Sequence, residues 1–355
     1  MQRLWRVPFY WGQGGPAQVT LTVTNLLTTL RVQAGSDGNL QIPAAVKANI
    51  SSGEGLCMET TQSRYGGNGP ALPAFNYASS GDDWTGECKT GKQQSPIDLP
   101  EKDSSSLGGI PGNHLIRFGS VTATSNAVLR LEIDEVEVLS ANWTTKDFLI
   151  PVCGGDNIGC LESAPDAPVE YMNASIVNLH FHANSEHTRE GALYGAEAHL
   201  VTKLMINGQK RLVVFGTWMD VAKNQTNELF KSLQPYINDT NVASVGAVCS
   251  AVPDDVVFNI ETLFPASKSY YAYRGSLTTP PCTEGVTWIV FTKTVPMSTL
   301  QLKSLYKSNA YTSQPCANVT TNSLCNVLGA RTNNRMMQPL NDRTIKIGNM
   351  GPTPN

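Results

Sequence analysis

The chain has 355 residues, 41% of them hydrophobic and 15% charged, which reads as a globular protein able to bury a substantial core. A formal charge of −3 excludes the basic stripe that a nucleic-acid partner would require, and no apolar run reaches the length needed to cross a bilayer. Eight cysteines and six Asn-x-Ser/Thr sequons, at Asn49, Asn142, Asn173, Asn224, Asn238 and Asn318, point instead to a soluble glycoprotein of a secreted or otherwise oxidising setting.

In chain order, Met1 opens on "MQRLWRVPFYWGQGG", an arginine-bearing head without the apolar stretch or cleavage site of a clear signal peptide. "QVTLTVTNLLTTLRVQ" (18–33) reads as an isolated strand or hairpin. The Gly-, Ser- and Pro-rich run at 51–74 reads as a linker, so residues 1–70 are expected to be an N-terminal extension. From there to residue 347 short strand-like runs alternate with turn residues, and 348–355 form a tail. "AVLRLEI", "VEVLSANW", "IVNLHFHA", "EAHLVTKLMI", "RLVVFGTWM" and "GVTWIVFTK" carry the β-branched and aromatic content of strands. Helical turns are expected near residues 227–236 and 298–308. The expected fold is one β-rich (α+β) domain over 71–347, with a large, twisted, mostly antiparallel sheet and a few short peripheral helices.

Histidine is scarce, five residues in all, yet His180, His182 and His187 fall within nine residues and His199 follows. Strand alternation puts Ile176, Asn178, His180 and His182 on one face of "IVNLHFHA" and Val177, Leu179 and Phe181 on the other. In "EAHLV" it groups Glu197, His199 and Val201. Were the two strands neighbours, three neutral imidazoles would converge. Three histidines leaving one position open is the pattern of a catalytic rather than a structural zinc site. On these residues alone a cupin-like oxygenase, a hydrolase and a structural zinc clamp all stay open.

Further motifs narrow the choice. "Gln-Ser-Pro-Ile-Asp" at 94–98, Glu-His-Thr at 186–188, Glu-x-His-Leu at 197–200, "Ser-Leu-Thr-Thr-Pro-Pro" at 276–281 and "Gln-Pro-Leu-Asn" at 338–341 accompany the His-x-His. In order and spacing the stretch from Phe75 to Ile347 resembles the α-class carbonic anhydrases. The resemblance implies zinc on His180, His182 and His199, and reversible hydration of CO2 to bicarbonate and a proton by a zinc-bound hydroxide. It implies Asn178 and Glu197 as partners of the ligand rings, with asparagine where the family usually has glutamine. His187 is expected to support the scaffold rather than touch zinc. Thr278, donating to Glu186, would orient the reactive oxygen. Val201, Val214, Leu277 and Trp288 would form the apolar wall for CO2, with Tyr77 and Thr279 lining the cavity. At the position where fast members carry a proton-shuttling histidine, this chain has Ala127, and His114 lies well before it.

The resemblance also implies a Cys88–Cys282 bridge. Cys153 with Cys160 and Cys316 with Cys325 are spaced for small loops, leaving Cys57 and Cys249 by elimination. The alternative function is a carbonic-anhydrase-like extracellular binding or matrix protein with incidental catalysis, the N-terminal extension being its added part.

Overall fold

A computed structural model describes residues 75, 77, 79–118, 148–235, 260–306 and 332–351 with their side chains, and 236 and 307–309 by their backbone alone. It describes the backbone alone of strands at 18–22, 29–33, 57–59, 120–123, 127–132, 135–140, 143–146, 248–251 and 258–259. The chain divides into two compact units, Met1–Ala74 and Phe75–Asn355. In the first, Gln18–Thr22 pairs antiparallel with both Thr29–Gln33 and Cys57–Glu59. The expected hairpin is thus part of a three-stranded sheet, and its third strand lies inside the run read as linker.

The second unit is built on an eleven-stranded sheet. We number its strands β1 (Gly108–Gly109), β2 (Ala127–Glu132), β3 (Glu135–Ser140), β4 (Ser175–Ala183), β5 (Ala196–Ile206), β6 (Gln209–Val221), β7 (Val248–Ala251), β8 (Ser269–Ser276), β9 (Glu284–Phe291), β10 (Val295–Met297) and β11 (Lys346–Asn349). The order across the sheet is β7-β2-β3-β4-β5-β6-β9-β8-β11-β1, with β10 also paired to β6. Most pairings are antiparallel, as expected; β6 with β9, β6 with β10 and β11 with β1 are parallel.

β5 and β6 form the longest hairpin, joined by Asn207-Gly208. Both residues are left-handed, at φ 50° and 75°, as a two-residue turn matched to strand twist requires. That turn sets the register in which His199 lies opposite Gly216. On the other side of β5, His180 of β4 lies opposite His199, and His182 opposite Glu197.

Each face of the sheet buries a different cluster. One face carries Leu179, Phe181, Ala198, Leu200, Phe215 and Ile289, covered by Leu229, Phe230 and Leu233 of a short helix (Glu228–Leu233) and by Leu305 and Tyr306 of another (Thr299–Asn309). Each fully buried large side chain there stabilises the fold by about 1.5–3 kcal/mol. The first helix starts where expected because the Asn227 carboxamide oxygen accepts from Phe230 N at 3.0 Å. The opposite face carries Val201, Val214, Tyr271, Tyr273 and Trp288, and there the histidines lie.

One alternation is corrected. A β-bulge between Ile176 and Asn178 gives β4 an extra residue against β5. Ile176 therefore joins the cluster of Leu179 and Phe181, and Val177 packs against the histidine side. The expected phase holds only from Asn178 onward.

Candidate metal centre and active site

Neighbouring strands β4 and β5 bring His180, His182 and His199 together, with ring centroids 5.1, 5.1 and 4.6 Å apart and one nitrogen of each within 4.8 Å of the others. Every ring has its second nitrogen engaged. His180 Nδ1 donates to Asn178 Oδ1 at 3.1 Å, His182 Nδ1 to the Asn333 carbonyl at 2.9 Å, and His199 Nε2 to Glu197 Oε1 at 3.0 Å. These bonds fix each tautomer and leave the lone pairs of His180 Nε2, His182 Nε2 and His199 Nδ1 facing one another. Two of these atoms, His180 Nε2 and His199 Nδ1, are 3.2 Å apart, and His182 Nε2 is buried without a hydrogen bond. Three neutral imidazole donors turned inward, one of them otherwise unsatisfied, suit a borderline-soft dication such as zinc.

The electrostatics of His180 and His199 agree with neutral rings. Burial, reinforced by the charges of His182 and His199, lowers the His180 pKa well below its usual value. Burial and His182 bring His199 down to about 4. Glu197 is buried, which pushes its pKa up, but His187 and His199 more than offset that and keep it ionised. Burial raises Glu186 to about 8, against the Arg335 amide and the Thr278 hydroxyl, which hold it down. Its Oε2 lies 3.6 Å from His182 Nε2 and 4.0 Å from His199 Nδ1.

Glu197 does more than orient His199. Its Oε1 also accepts from His187 Nδ1 at 2.7 Å, and its Oε2 accepts the Glu186 and His187 amides, both at 2.9 Å. The same carboxylate thus places two imidazoles and the loop that carries Glu186. His187 Nε2 accepts from the Tyr273 hydroxyl at 2.6 Å, which in turn accepts from Ser95 Oγ at 2.9 Å. His187 belongs to this buried chain of hydrogen bonds and turns neither nitrogen toward the other three inward-facing ones.

Thr278 lies buried on the loop after β8, beside Glu186. That loop closes through Leu277 N to Thr283 O at 3.0 Å and Cys282 N to Thr279 O at 2.8 Å, and the Cys88–Cys282 disulfide ties it down. The Cys153–Cys160 disulfide is also present. Cys316 and Cys325, and the side chains of Cys57, Cys249 and Ala127, lie outside the described residues. The same holds for sequons Asn49, Asn142, Asn238 and Asn318; Asn173 and Asn224 are exposed. Val201, Val214 and Trp288 form one buried apolar cluster with Leu277 packed against it, and the Trp288 ring is 4.8 Å from His199. Tyr77 packs with Trp84 and the Cys88–Cys282 bridge. His114 is buried elsewhere, against Ala167 and Cys153.

Two residues of the site were not anticipated. Asn333 receives His182 through its carbonyl, while its side chain accepts from Ala183 N at 2.6 Å and donates to Phe181 O at 3.3 Å. Arg335 gives its amide to Glu186 Oε1 at 2.8 Å and its guanidinium to Gln94 Oε1, Ser95 O and Cys88 O at 2.7–3.0 Å. Only their nearness to the 338–341 motif could have drawn attention to them.

The model of the eukaryotic-type carbonic anhydrase family matches residues 159–348. A carbonic anhydrase of Dunaliella salina is 30% identical over 285 residues, covering 76% of this chain and 43% of that protein. One from Neisseria gonorrhoeae is 27% identical over 258 residues, covering 73% and 78%. The chain therefore spans less than half the length of the Dunaliella relative. Among solved structures, a halotolerant carbonic anhydrase from Dunaliella salina has a TM-score of 0.53 at 27% identity, covering 78% of this chain and 98% of that one. A Chlamydomonas reinhardtii carbonic anhydrase in complex with acetazolamide shares the fold, with a TM-score of 0.53 at 23% identity over 77% of this chain and 99% of that one.

Proposed function

The chain belongs to the eukaryotic-type carbonic anhydrase family, and from that membership we propose that it catalyses the reversible hydration of CO2 with zinc held by His180, His182 and His199. The observation that carries this reading is the set of three inward lone pairs, each fixed by a hydrogen bond behind its ring. Zinc on such a set supplies Lewis acidity that lowers the pKa of a coordinated water to about 7 in carbonic anhydrases.

This chain's residues do the rest. Asn178, the Asn333 carbonyl and Glu197 hold the rings in their ligating tautomers, which raises their basicity. Thr278 Oγ, donating to Glu186, is left with its lone pairs for a proton on the attacking oxygen, and so orients that oxygen. Val201, Val214, Leu277 and Trp288 offer CO2 an uncharged wall beside His199, suited to a substrate without charge or a strong dipole. The Arg335 amide holds the Glu186 carboxylate, and Glu197 holds the backbone of its loop. The two disulfides support placement in an oxidising compartment.

Metal analysis of the purified chain together with a stopped-flow CO2 assay tests the proposal. One zinc per chain is expected, with hydration abolished by a chelator and restored by zinc. A chain that holds no metal at these histidines, or hydrates CO2 equally without it, would refute it. The alternative of a binding or matrix protein predicts no chelator-sensitive hydration in the same assay.

A further inference from the structure

A second set of potential ligands lies where Leu149–Cys153 and the loop after it meet the short turn Gly112–His114. His114, Cys153 and Cys160 are buried, and one ligand atom from each lies within 4.8 Å of the others. None of them takes part in the three-histidine centre. The cysteines form a disulfide, so the sulfurs have no ligand capacity as they stand. His114 is the unusual member. Its Nε2 lies 3.1 Å from the Ala167 carbonyl and 3.8 Å from Cys153 Sγ, while Nδ1 is buried with no hydrogen-bond partner.

A neutral imidazole carries one N–H and one lone pair. If Nε2 carries the hydrogen it donates to Ala167, and the Nδ1 lone pair meets no donor. If Nδ1 carries it, the Nε2 lone pair faces a carbonyl oxygen. In either tautomer one fully buried ring nitrogen goes unmatched, and the ring lies within reach of both sulfurs, a costly arrangement that an acidic partner on the ring would relieve.

We propose that reduction of Cys153–Cys160 unmasks a site for a thiophilic d10 cation, held by the two sulfurs and the His114 ring. The reductant is a dithiol. Its thiolate attacks Cys160 Sγ, the more exposed of the two residues at 3% against 0%. The Cys153–Cys160 bond breaks as a mixed disulfide forms, and Cys153 leaves as a thiolate. The second thiol of the reductant then displaces Cys160, closing the reductant's own disulfide. Two electrons and two protons have passed to the protein. Metal capture releases the thiol protons, because thiolates rather than thiols are ligands. Two thiolates with an imidazole form a donor set that selects zinc, cadmium or copper(I) over hard cations.

The test is titration of the full chain, its active-site metal in place, with Cd2+ under anaerobic conditions, before and after reduction by a phosphine. The readout is the thiolate-to-metal ultraviolet band, to which the three-histidine centre is blind. Reduced protein is expected to gain the band and bind one more Cd2+ than reduced Cys153→Ser/Cys160→Ser protein. That variant keeps the other thiols and so subtracts their contribution. His114→Gln should weaken this binding by about tenfold or more, at least the loss seen when an outer partner of a ligand is removed. The proposal is overturned if the double variant shows an undiminished band, or if His114→Gln binds as tightly as the parent. If the double variant does not fold, His114→Gln, in which the disulfide is untouched, still decides the matter. The outcome is independent of CO2 hydration.

Discussion

The hydrogen bond behind each ring matters as much as the ring itself. Asn178 has a short side chain, yet it reaches His180 Nδ1 at 3.1 Å. Thr278 is the residue whose loss should affect catalysis most without removing metal. Thr278→Ala is expected to lower kcat/KM for CO2 by roughly 10^2–10^3-fold, the usual result of deleting one oriented hydrogen-bonding group at a reacting oxygen, with zinc content unchanged. Loss of zinc along with activity would show that Thr278 supports the metal site rather than the reacting oxygen. Ala127 sets a second expectation. A donor of pKa near 7 losing its proton directly to water is limited to roughly 10^10 × 10^-7, or about 10^3 per second, against about 10^6 per second for a fast carbonic anhydrase. Turnover should therefore climb with the concentration of an imidazole-type buffer. Turnover near the fast limit in dilute buffer would reveal another proton route.

At the scale of elements, the hairpin of β5 and β6 does the positioning. Its two-residue turn places Gly216 opposite His199, where a Cβ would come within 2.8 Å of Glu197 Oε1. Gly216→Ala should therefore displace the carboxylate that holds both His199 and the Glu186 loop. The expected effect is a loss of zinc affinity of about 10–100-fold, read by competition with a chelator, while the far face of the sheet stays packed. Unchanged affinity would mean that Glu197 can move without disturbing His199. The loop carrying Thr278 is restrained differently. Cys88 lies 194 residues before Cys282, and Arg335 donates to the Cys88 carbonyl while its own amide meets Glu186. The Cys88–Cys282 disulfide, the buried Arg335 and the Glu186 carboxylate are thereby joined across four distant parts of the chain.

On the scale of the molecule, every candidate residue of the metal centre falls in Phe75–Asn355, and Met1–Ala74 forms a compact unit of its own. Deleting residues 1–74 should leave kcat/KM for CO2 unchanged. A tenfold fall, about 1.4 kcal/mol of transition-state stabilisation, would show that the first unit contributes to the reaction.

Sequence by itself determined the β-rich class, the two short helices, the His-x-His phase beyond Asn178, and the placement of His199 with Glu197 and Val201. The strand phases follow from period-two alternation, which is a local property of the chain. The His-rich runs and the motifs flanking them were enough to suggest the chemistry. What only the tertiary structure decided is whatever depends on contacts between distant segments. The bulge that sends Ile176 to the opposite face depends on how β4 pairs with β5. The roles of Asn333 and Arg335 depend on a segment roughly 150 residues away from His182 and Glu186 folding back over them. The glycine opposite His199 is special only because Glu197 lies beneath it. Hydrogen bonds and close approaches are made in space, so spacing along the chain carries no record of them.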